Sequence, residues 1–263
     1  GVPIVIHEQN ARPGLANKVG ARNAAVVALT FPSTPLSARR GSTVVTGLPL
    51  RAAIASLASS RKDAAGAAQA RREAAGRLGV NPDAPTLLVT GGSLGALHVN
   101  ESMTGAADAL PEGAQVVHLT GRGKDEPVRA AVEAAGCSDR WHVIDYLTTM
   151  EDALAVADLV VCRSGAGTVA EMEALGLPCI YVPLPIGNGE QRLNAADHVA
   201  AGGAQLIDDK DFTADFVRSN VFPLLGSARL ADMAAASQSL GRAGAARALA
   251  DLALEQVKES GHE

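Results

Sequence analysis

Short runs of β-branched and aliphatic residues alternate along the chain with longer Ala-, Leu- and Arg-rich stretches whose apolar positions recur with helical period. The short runs predict strands at 3–7, 25–29 and 43–46, and a second series at 86–90, 115–119, 141–144, 159–162, 179–182 and 204–207. The longer stretches predict helices over 15–23, 65–78, 96–109, 126–135, 149–156, 167–175, 190–201, 213–224 and 228–239, with a last amphipathic helix at 245–258. Strands that alternate with helices in this way form parallel sheets covered by helices, so the fold class is α/β. The stretch 56–75 is polar and Ala-rich without strand signal, and predicts a peripheral insertion or helical linker. It separates a strand-poor beginning from six strands in succession. The expectation is therefore the end of one doubly wound domain followed by a complete second one.

The 263 residues are enough for one large domain or two smaller ones, each with its own core. Aromatic residues make up only 3%, so the cores must be packed from Ala, Val, Leu and Ile. A net charge of -5 speaks against nucleic acid as a partner, because phosphate backbones attract basic surfaces. No apolar run approaches the ~20 residues of a membrane-spanning helix. Cys137, Cys162 and Cys179 lack metal-ligand spacing and leave an odd thiol, which fits a reducing cytosol. The chain opens inside an apolar strand at Gly1-Val2-Pro3-Ile4, without an initiator Met, and we read it as a fragment whose upstream residues are missing.

Five stretches could carry chemistry. The strand at 86–90 runs directly into Gly91-Gly92-Ser93-Leu94-Gly95-Ala96 and then a helix. A glycine-rich turn there lets backbone N–H groups approach a phosphate beside the positive end of a helix dipole, and Ser93 adds a hydroxyl. The spacing is neither that of a P-loop nor that of a dinucleotide fingerprint, and a tight turn without ligand would look the same. A second strand-to-helix junction reads Cys162-Arg163-Ser164-Gly165-Ala166-Gly167-Thr168-Val169-Ala170-Glu171. It could offer a second helix N-terminus to a diphosphate and the Glu171 carboxylate to a ribose diol. Thr168-x-x-Glu171 also fits a capping box, and either reading puts Glu171 in the first helical turn.

The third stretch, from Pro183 to Asn194, is an irregular loop whose Gln191 and Asn194 amides match sugar hydroxyls in donor and acceptor capacity. Loops at the carboxyl ends of parallel strands are where open α/β sheets bind ligands. The fourth, His7-Glu8-Gln9-Asn10, holds a His-Glu pair that is more simply structural, because adjacent strand residues face opposite sides; Asn10 is the better ligand candidate. In the fifth, Gly47-Leu48-Pro49-Leu50-Arg51, the Arg51 cation could face a diphosphate or simply be solvated. No Gly-x-Ser-x-Gly elbow accompanied by a triad, no His-Glu-x-x-His and no clustered Asp/His set is present, which leaves a phosphate-facing site without metal ligands.

In this order the motifs His7-Glu8-Gln9-Asn10, Gly47-x-Pro49-x-Arg51, Gly91-Gly92-Ser93-x-Gly95-Ala96, Arg163-Ser164-Gly165-Ala166-x-Thr168-x-x-Glu171 and Gln191-x-x-Asn194-Ala195 resemble the MurG family. The likeness runs from residue 1 to about residue 250. That family transfers N-acetylglucosamine from its UDP conjugate to lipid I (undecaprenyl-diphospho-N-acetylmuramoyl-pentapeptide), with inversion, giving lipid II in peptidoglycan synthesis. The resemblance implies two Rossmann-like lobes of GT-B type: residues 1–46 as the remnant of an acceptor- and membrane-side lobe, 47–244 as the UDP-sugar lobe with its linker, and 245–263 as a helix returning to the first lobe. It implies phosphate contacts at Gly91, Gly92, Ser93 and Gly95, and uracil at the backbone of Leu147. Ala166, Gly167, Thr168, Val169, Ala170 and Glu171 would line the nucleotide, Gln191 and Asn10 would hold the sugar, and Arg51 would approach the nucleotide from the hinge.

It further implies no cofactor, a lipid-linked acceptor, and peripheral attachment at the cytoplasmic face of the cell membrane. Leu48 and Glu190 depart from the family pattern, the second at a sugar contact. The family's glycine-rich loops with the His proposed as base are not in this sequence, and His7 is not that residue, so the expectation for this chain is donor binding. Another UDP-sugar transferase or epimerase of similar fold, and a non-catalytic nucleotide-sugar subunit, are the competing readings.

Overall fold

The computed structural model describes residues 2–92, 95–186 and 188–260. A small parallel sheet comes first: β1 (Val5–Glu8), α1 (Leu15–Gly20), β2 (Val26–Leu29) and β3 (Ser42–Val45), in the order β1-β2-β3. After α2 (Ala52–Ser60) and α3 (Ala64–Leu78) follow β4 (Thr86–Thr90), α4 (Leu97–Thr104), β5 (Gln115–Leu119), α5 (Asp125–Ala134), β6 (Trp141–Ile144), α6 (Met150–Val156), β7 (Leu159–Cys162), α7 (Ala166–Leu175), β8 (Cys179–Tyr181), α8 (Glu190–Asn194), α9 (Ala196–Ala200) and β9 (Ala204–Leu206). The chain ends through α10 (Ala214–Phe216), α11 (Ala228–Ser239) and α12 (Ala245–Ser260). The second sheet is all parallel, in the order β6-β5-β4-β7-β8-β9.

This order reverses between β4 and β7, the central pair. Connections run outward to opposite sides from there, so a crevice opens beyond the carboxyl ends of these two strands. Period-2 alternation explains the layers on either side. Leu88, Val160, Cys162, Cys179 and Tyr181 point to one face, where they meet α2, α3, α6 and α7. Leu87, Val89, Leu159, Val161 and Ile180 point to the other, against α4, α5 and α11. Both faces are covered, which is why the central strands read as unbroken apolar runs.

All nine expected strands are present, with ends shifted by a residue or two. The helices differ more. The stretch expected to be a peripheral insertion or helical linker holds the helix expected over 65–78, as α3, and an unforeseen α2, and both are packed: α2 buries Ile54, Leu57 and Ala58, and α3 buries Ala74 and Ala75 in the same cluster as Ala153 and Leu154 of α6. Alanine made this stretch look surface-like, yet its small side chain lets helices approach closely. Asp63 starts α3 by accepting from Gly66 N at 2.8 Å. The helix expected over 190–201 divides at Ala195 into α8 and α9. That over 213–224 is one α turn followed by a π stretch at Val217–Val221 and a 3-10 turn containing Pro223, which cannot supply an intrahelical N–H. The helix over 96–109 stops at Gly105, with a separate 3-10 turn at Ala107–Ala109.

Side chains join the first sheet to the second. Asn194 Oδ1 accepts from Ala11 N at 2.8 Å, and its Nδ2 lies 3.4 Å from both Asn10 Oδ1 and Ser164 O. Asp197 accepts from Ser33 N and Oγ, and Arg12 donates to Asn188 O. At the other end α12 starts beside Gly47 and faces β3 across a groove lined by Val44, Thr46, Ala248 and Leu252.

Candidate functional site

The crevice at the β4/β7 reversal is a cleft of about 240 Å³. Its floor is apolar: Leu119, Leu147, Met150, Val160, Cys162 and Met172. Polar groups stand on its rim. Gly92 and Thr90 come from the turn after β4, Gly121 and Asp145 from the turns after β5 and β6, Thr168 and Glu171 from α7, and Arg51 from the N-cap of α2. The turn after β4 is tight. A Cβ on Gly91 would sit 2.3 Å from Ala96 N, and one on Gly95 would sit 2.1 Å from Thr120 O, at a positive φ of 66°.

α7 begins at Ala166 with Gly165 as N-cap and no side chain capping it. Its first three N–H groups, on Ala166, Gly167 and Thr168, therefore lack helical acceptors and face the cleft end of the helix with its partial positive charge. This corrects two expectations. Glu171 is the sixth helical residue, in the second turn, and the capping box does not form because Thr168 lies inside the helix. Val169 already donates to Gly165 O, and the Val169 and Ala170 side chains are buried. Just before the helix, the Ser164 hydroxyl is fully buried and without a partner among the described residues.

Arg51 and Glu171 meet at the cleft edge. Arg51 Nε and Nη2 reach Glu171 Oε1 at 3.0 and 2.9 Å. Burial pushes the Glu171 carboxyl above the usual range, and the Arg51 charge and hydrogen bond pull it back. Arg163, in contrast, is held inward: it donates to Val182 O at 2.9 Å, Pro183 O at 3.0 Å and the Asp209 carboxylate.

The other candidates fall outside this cleft's lining. Gln191 Oε1 accepts from Leu184 N at 2.9 Å, bracing its own loop. Asn10 lies on the first sheet's side, beside Asn194. Asn194 is 1% exposed with its amide used by Ala11, Asn10 and Ser164, so it braces the two sheets against each other and is not open to a sugar. Ser93 and Leu94 lie outside the described residues. His7 and Glu8 are structural: His7 Nε2 donates to Gly47 O at 3.0 Å, and Glu8 accepts from Asn10 N, Gly14 N and Asn17 Nδ2. Sequence reasoning missed Asp145, which accepts from Gly123 N at 2.6 Å, and the stack of Arg122 over Tyr146 at 4.0 Å. The glycines of Gly121-Arg122-Gly123 signalled a turn, but only the strand order brings that turn beside β4. Among the described residues no group of three or more His, Cys, Asp or Glu is arranged for a metal ion.

The model of the glycosyltransferase family 28 C-terminal domain matches residues 86–251, which include the whole second sheet and the helices between its strands. The chain is also 47% identical over 276 residues to the UDP-N-acetylglucosamine--N-acetylmuramyl-(pentapeptide) pyrophosphoryl-undecaprenol N-acetylglucosamine transferase of Bifidobacterium longum, covering 99% of this chain and 70% of that protein. It belongs to the MurG family. The Bifidobacterium adolescentis MurG relative is 50% identical over 239 residues, 86% of this chain and 60% of its own length. The crystal structure of MurG from Acinetobacter baumannii superposes with a TM-score of 0.77 at 28% identity, over 97% of this chain and 67% of that one. The chain thus spans 60 to 70% of these two curated MurG relatives. The architecture is that of the family's GT-B fold, and the second sheet is its C-terminal Rossmann-like lobe.

Proposed function

We propose that this chain is the donor-binding part of a transferase that moves N-acetylglucosamine from UDP-N-acetylglucosamine to lipid I, with inversion, to give lipid II. One observation carries the reading: the glycine turn after β4 and the uncapped N-terminus of α7 stand side by side at the sheet's switch point, around a cleft edged by Glu171. A diphosphate placed there takes N–H groups from Ala166, Gly167 and Thr168, the arrangement by which helix N-termini bind anions, and lies against the glycine turn, whose Gly92 and Gly95 N–H groups donate within the turn to Thr90 Oγ1 and Gly92 O. Uracil lies on the apolar floor at Leu147, and the Glu171 carboxylate accepts from the ribose hydroxyls. As the acceptor hydroxyl gives its proton to a general base and attacks the anomeric carbon, the glycosidic C–O bond to phosphate breaks and its electron pair leaves with UDP. Donors already aimed at the diphosphate stabilise that charge as it develops. Gln191 and Asn10, with Ser93 at the phosphates, complete the donor site by the family pattern.

Residues 1–46 would be acceptor- and membrane-side, 47–244 the donor lobe and 245–263 the returning helix. Among the described residues no helix is long and apolar enough to cross a membrane. Peripheral attachment at the cytoplasmic face is supported by α1, where Leu15 and Val19 are 78% and 54% exposed with Lys18 and Arg22 alongside. Calorimetric titration tests the donor: the chain should bind UDP-N-acetylglucosamine in preference to UDP-glucose and UDP-galactose. Preference for either of the latter would favour a different UDP-sugar enzyme of the same fold.

A further inference from the structure

Opposite the donor cleft, at the amino ends of the second sheet's strands, runs another groove. Its floor is the chain leading into β4, β7 and β8, at Pro85, Ala157 and Pro178, and its walls are α3 and α11. Two adjoining parts of about 640 and 510 Å³ share Arg61, Arg71 and Ala234. Along α11 the groove runs from Leu230 to Gln238, about 12 Å at the rise of a helix, which is the length of about four residues of extended chain. We infer that this groove binds an extended acidic segment of a partner protein, with one carboxylate on Arg61 and small apolar side chains along α11. The inference does not depend on the donor site.

The two arginines of the groove differ in what is left to them. Arg71 is fully used: Nε donates to Pro82 O at 2.6 Å, Nη1 and Nη2 reach the two oxygens of Asp158 at 2.9 and 3.0 Å, and Nη2 also reaches Ala84 O at 2.8 Å. Asp158 is used with it, since its Oδ2 also accepts from Thr86 N at 2.8 Å. Arg61 is not. Its Nε donates to Leu175 O at 2.9 Å, at the C-terminus of α7, and its four other N–H groups have no partner among the described residues. Capping α7 therefore leaves the paired Nη1 and Nη2 edge unspent. The side chain is half-buried, and burial pulls its pKa below the ordinary value, with the charge of Asp158 acting against that and Arg71 with it. A guanidinium drawn out of water without a counter-ion of its own is costly. An incoming carboxylate offsets that cost through two parallel N–H···O bonds. Leu177, Leu230 and Ala234 supply apolar surface in the same groove, so the site is mostly apolar with one unspent cation. A small acid would fill only a fraction of this length, whereas a segment of chain can follow it.

The test is selection of a phage-displayed library of random hexapeptides on the immobilised chain. Enriched peptides should carry Asp or Glu beside small apolar residues, and on titration should shift the amide signals of Gly176, Ala231 and Ala234. By calorimetry, Arg61→Leu should weaken the selected peptides by about tenfold, the loss of roughly one charge-assisted hydrogen bond. Ala231→Glu should weaken them at least as much, because it puts a carboxylate into the groove while leaving Arg61 and its bond to Leu175 in place. That second variant keeps the test decisive if Arg61→Leu fails to fold. No enrichment, enrichment of peptides without an acid, or equal binding to Ala231→Glu would overturn the inference. Isobutyrate binding as tightly as the peptides would put a small acid in the groove and overturn the partner segment.

Discussion

Two of the glycines in the turn after β4, Gly92 and Gly95, differ in what they tolerate. Gly95 has φ 66° and a position where a Cβ would meet Thr120 O at 2.1 Å, whereas Gly92 has φ 85° and open space around it. Gly92→Ala should therefore cost only the left-handed backbone penalty, about 1–2 kcal/mol. Gly95→Ala must also move either the turn or the strand end of β5, so it should cost clearly more, and chemical denaturation of the two variants gives the comparison. Equal costs would show that the turn is free to shift. At this scale the sequence was informative about residue type and poor about direction. The run Gly91-Gly92-x-x-Gly95 announced a close backbone approach, and Glu171 announced a carboxylate near it. That Asn194 faces inward to Ala11 could not be read, because a polar residue four positions before a buried His looks the same whether it points to a ligand or to another strand. The burial of the Ser164 hydroxyl without a partner among the described residues was equally silent, since it is a matter of tertiary packing.

At the scale of elements, the strands of the second sheet were legible because they are short β-branched or apolar runs closed within a few residues by Gly, Pro or Asp, and both faces of that sheet demand such runs. The Ala-rich α3 was legible as a helix over 65–78 but not as a packed one, since it buries only Ala74 and Ala75, and α2 was not foreseen. A polar chain ties three elements together. The Tyr181 hydroxyl on β8 donates to His198 Nδ1 on α9 at 2.8 Å, His198 Nε2 donates to Ser237 Oγ on α11 at 2.7 Å, and Ser237 donates to Leu177 O at 3.0 Å. This direction of donation needs a neutral imidazole. Burial lowers the His198 pKa to about 4 from an ordinary 6.5, and lowers that of His118, enclosed between Asn100 and Trp141, to about 3. Because the folded values lie below the unfolded one, the unfolded chain takes up these protons first. Stability should be full above pH 6.5 and fall progressively as the pH drops from 6.5 toward 4. Denaturation midpoints measured across that range should show the decline, and His198→Gln should flatten part of it; a wild-type curve level from 6.5 to 4 would contradict the assignment.

For the whole molecule, alternating strands and helices indicated two doubly wound units, but not the order of strands within them. That order decides the site, because it sets the turn after β4 next to the turn after β7, seventy residues later in the chain, and brings the turns after β5 and β6 to the same rim. It arises from which faces pair, a non-local outcome that no single segment encodes. The cross-links Ala11–Asn194 and Ser33–Asp197 then place the first sheet over α8 and α9, and the 47–51 segment delivers Arg51 to Glu171. The central claim is that two distant strand-to-helix turns hold one diphosphate together. Amide chemical shifts followed by NMR during a UDP titration test this most directly. Gly92, Gly95, Ala166, Gly167 and Thr168 should shift in concert with a single dissociation constant. Shifts confined to one of the two turns, or two separate affinities, would contradict it.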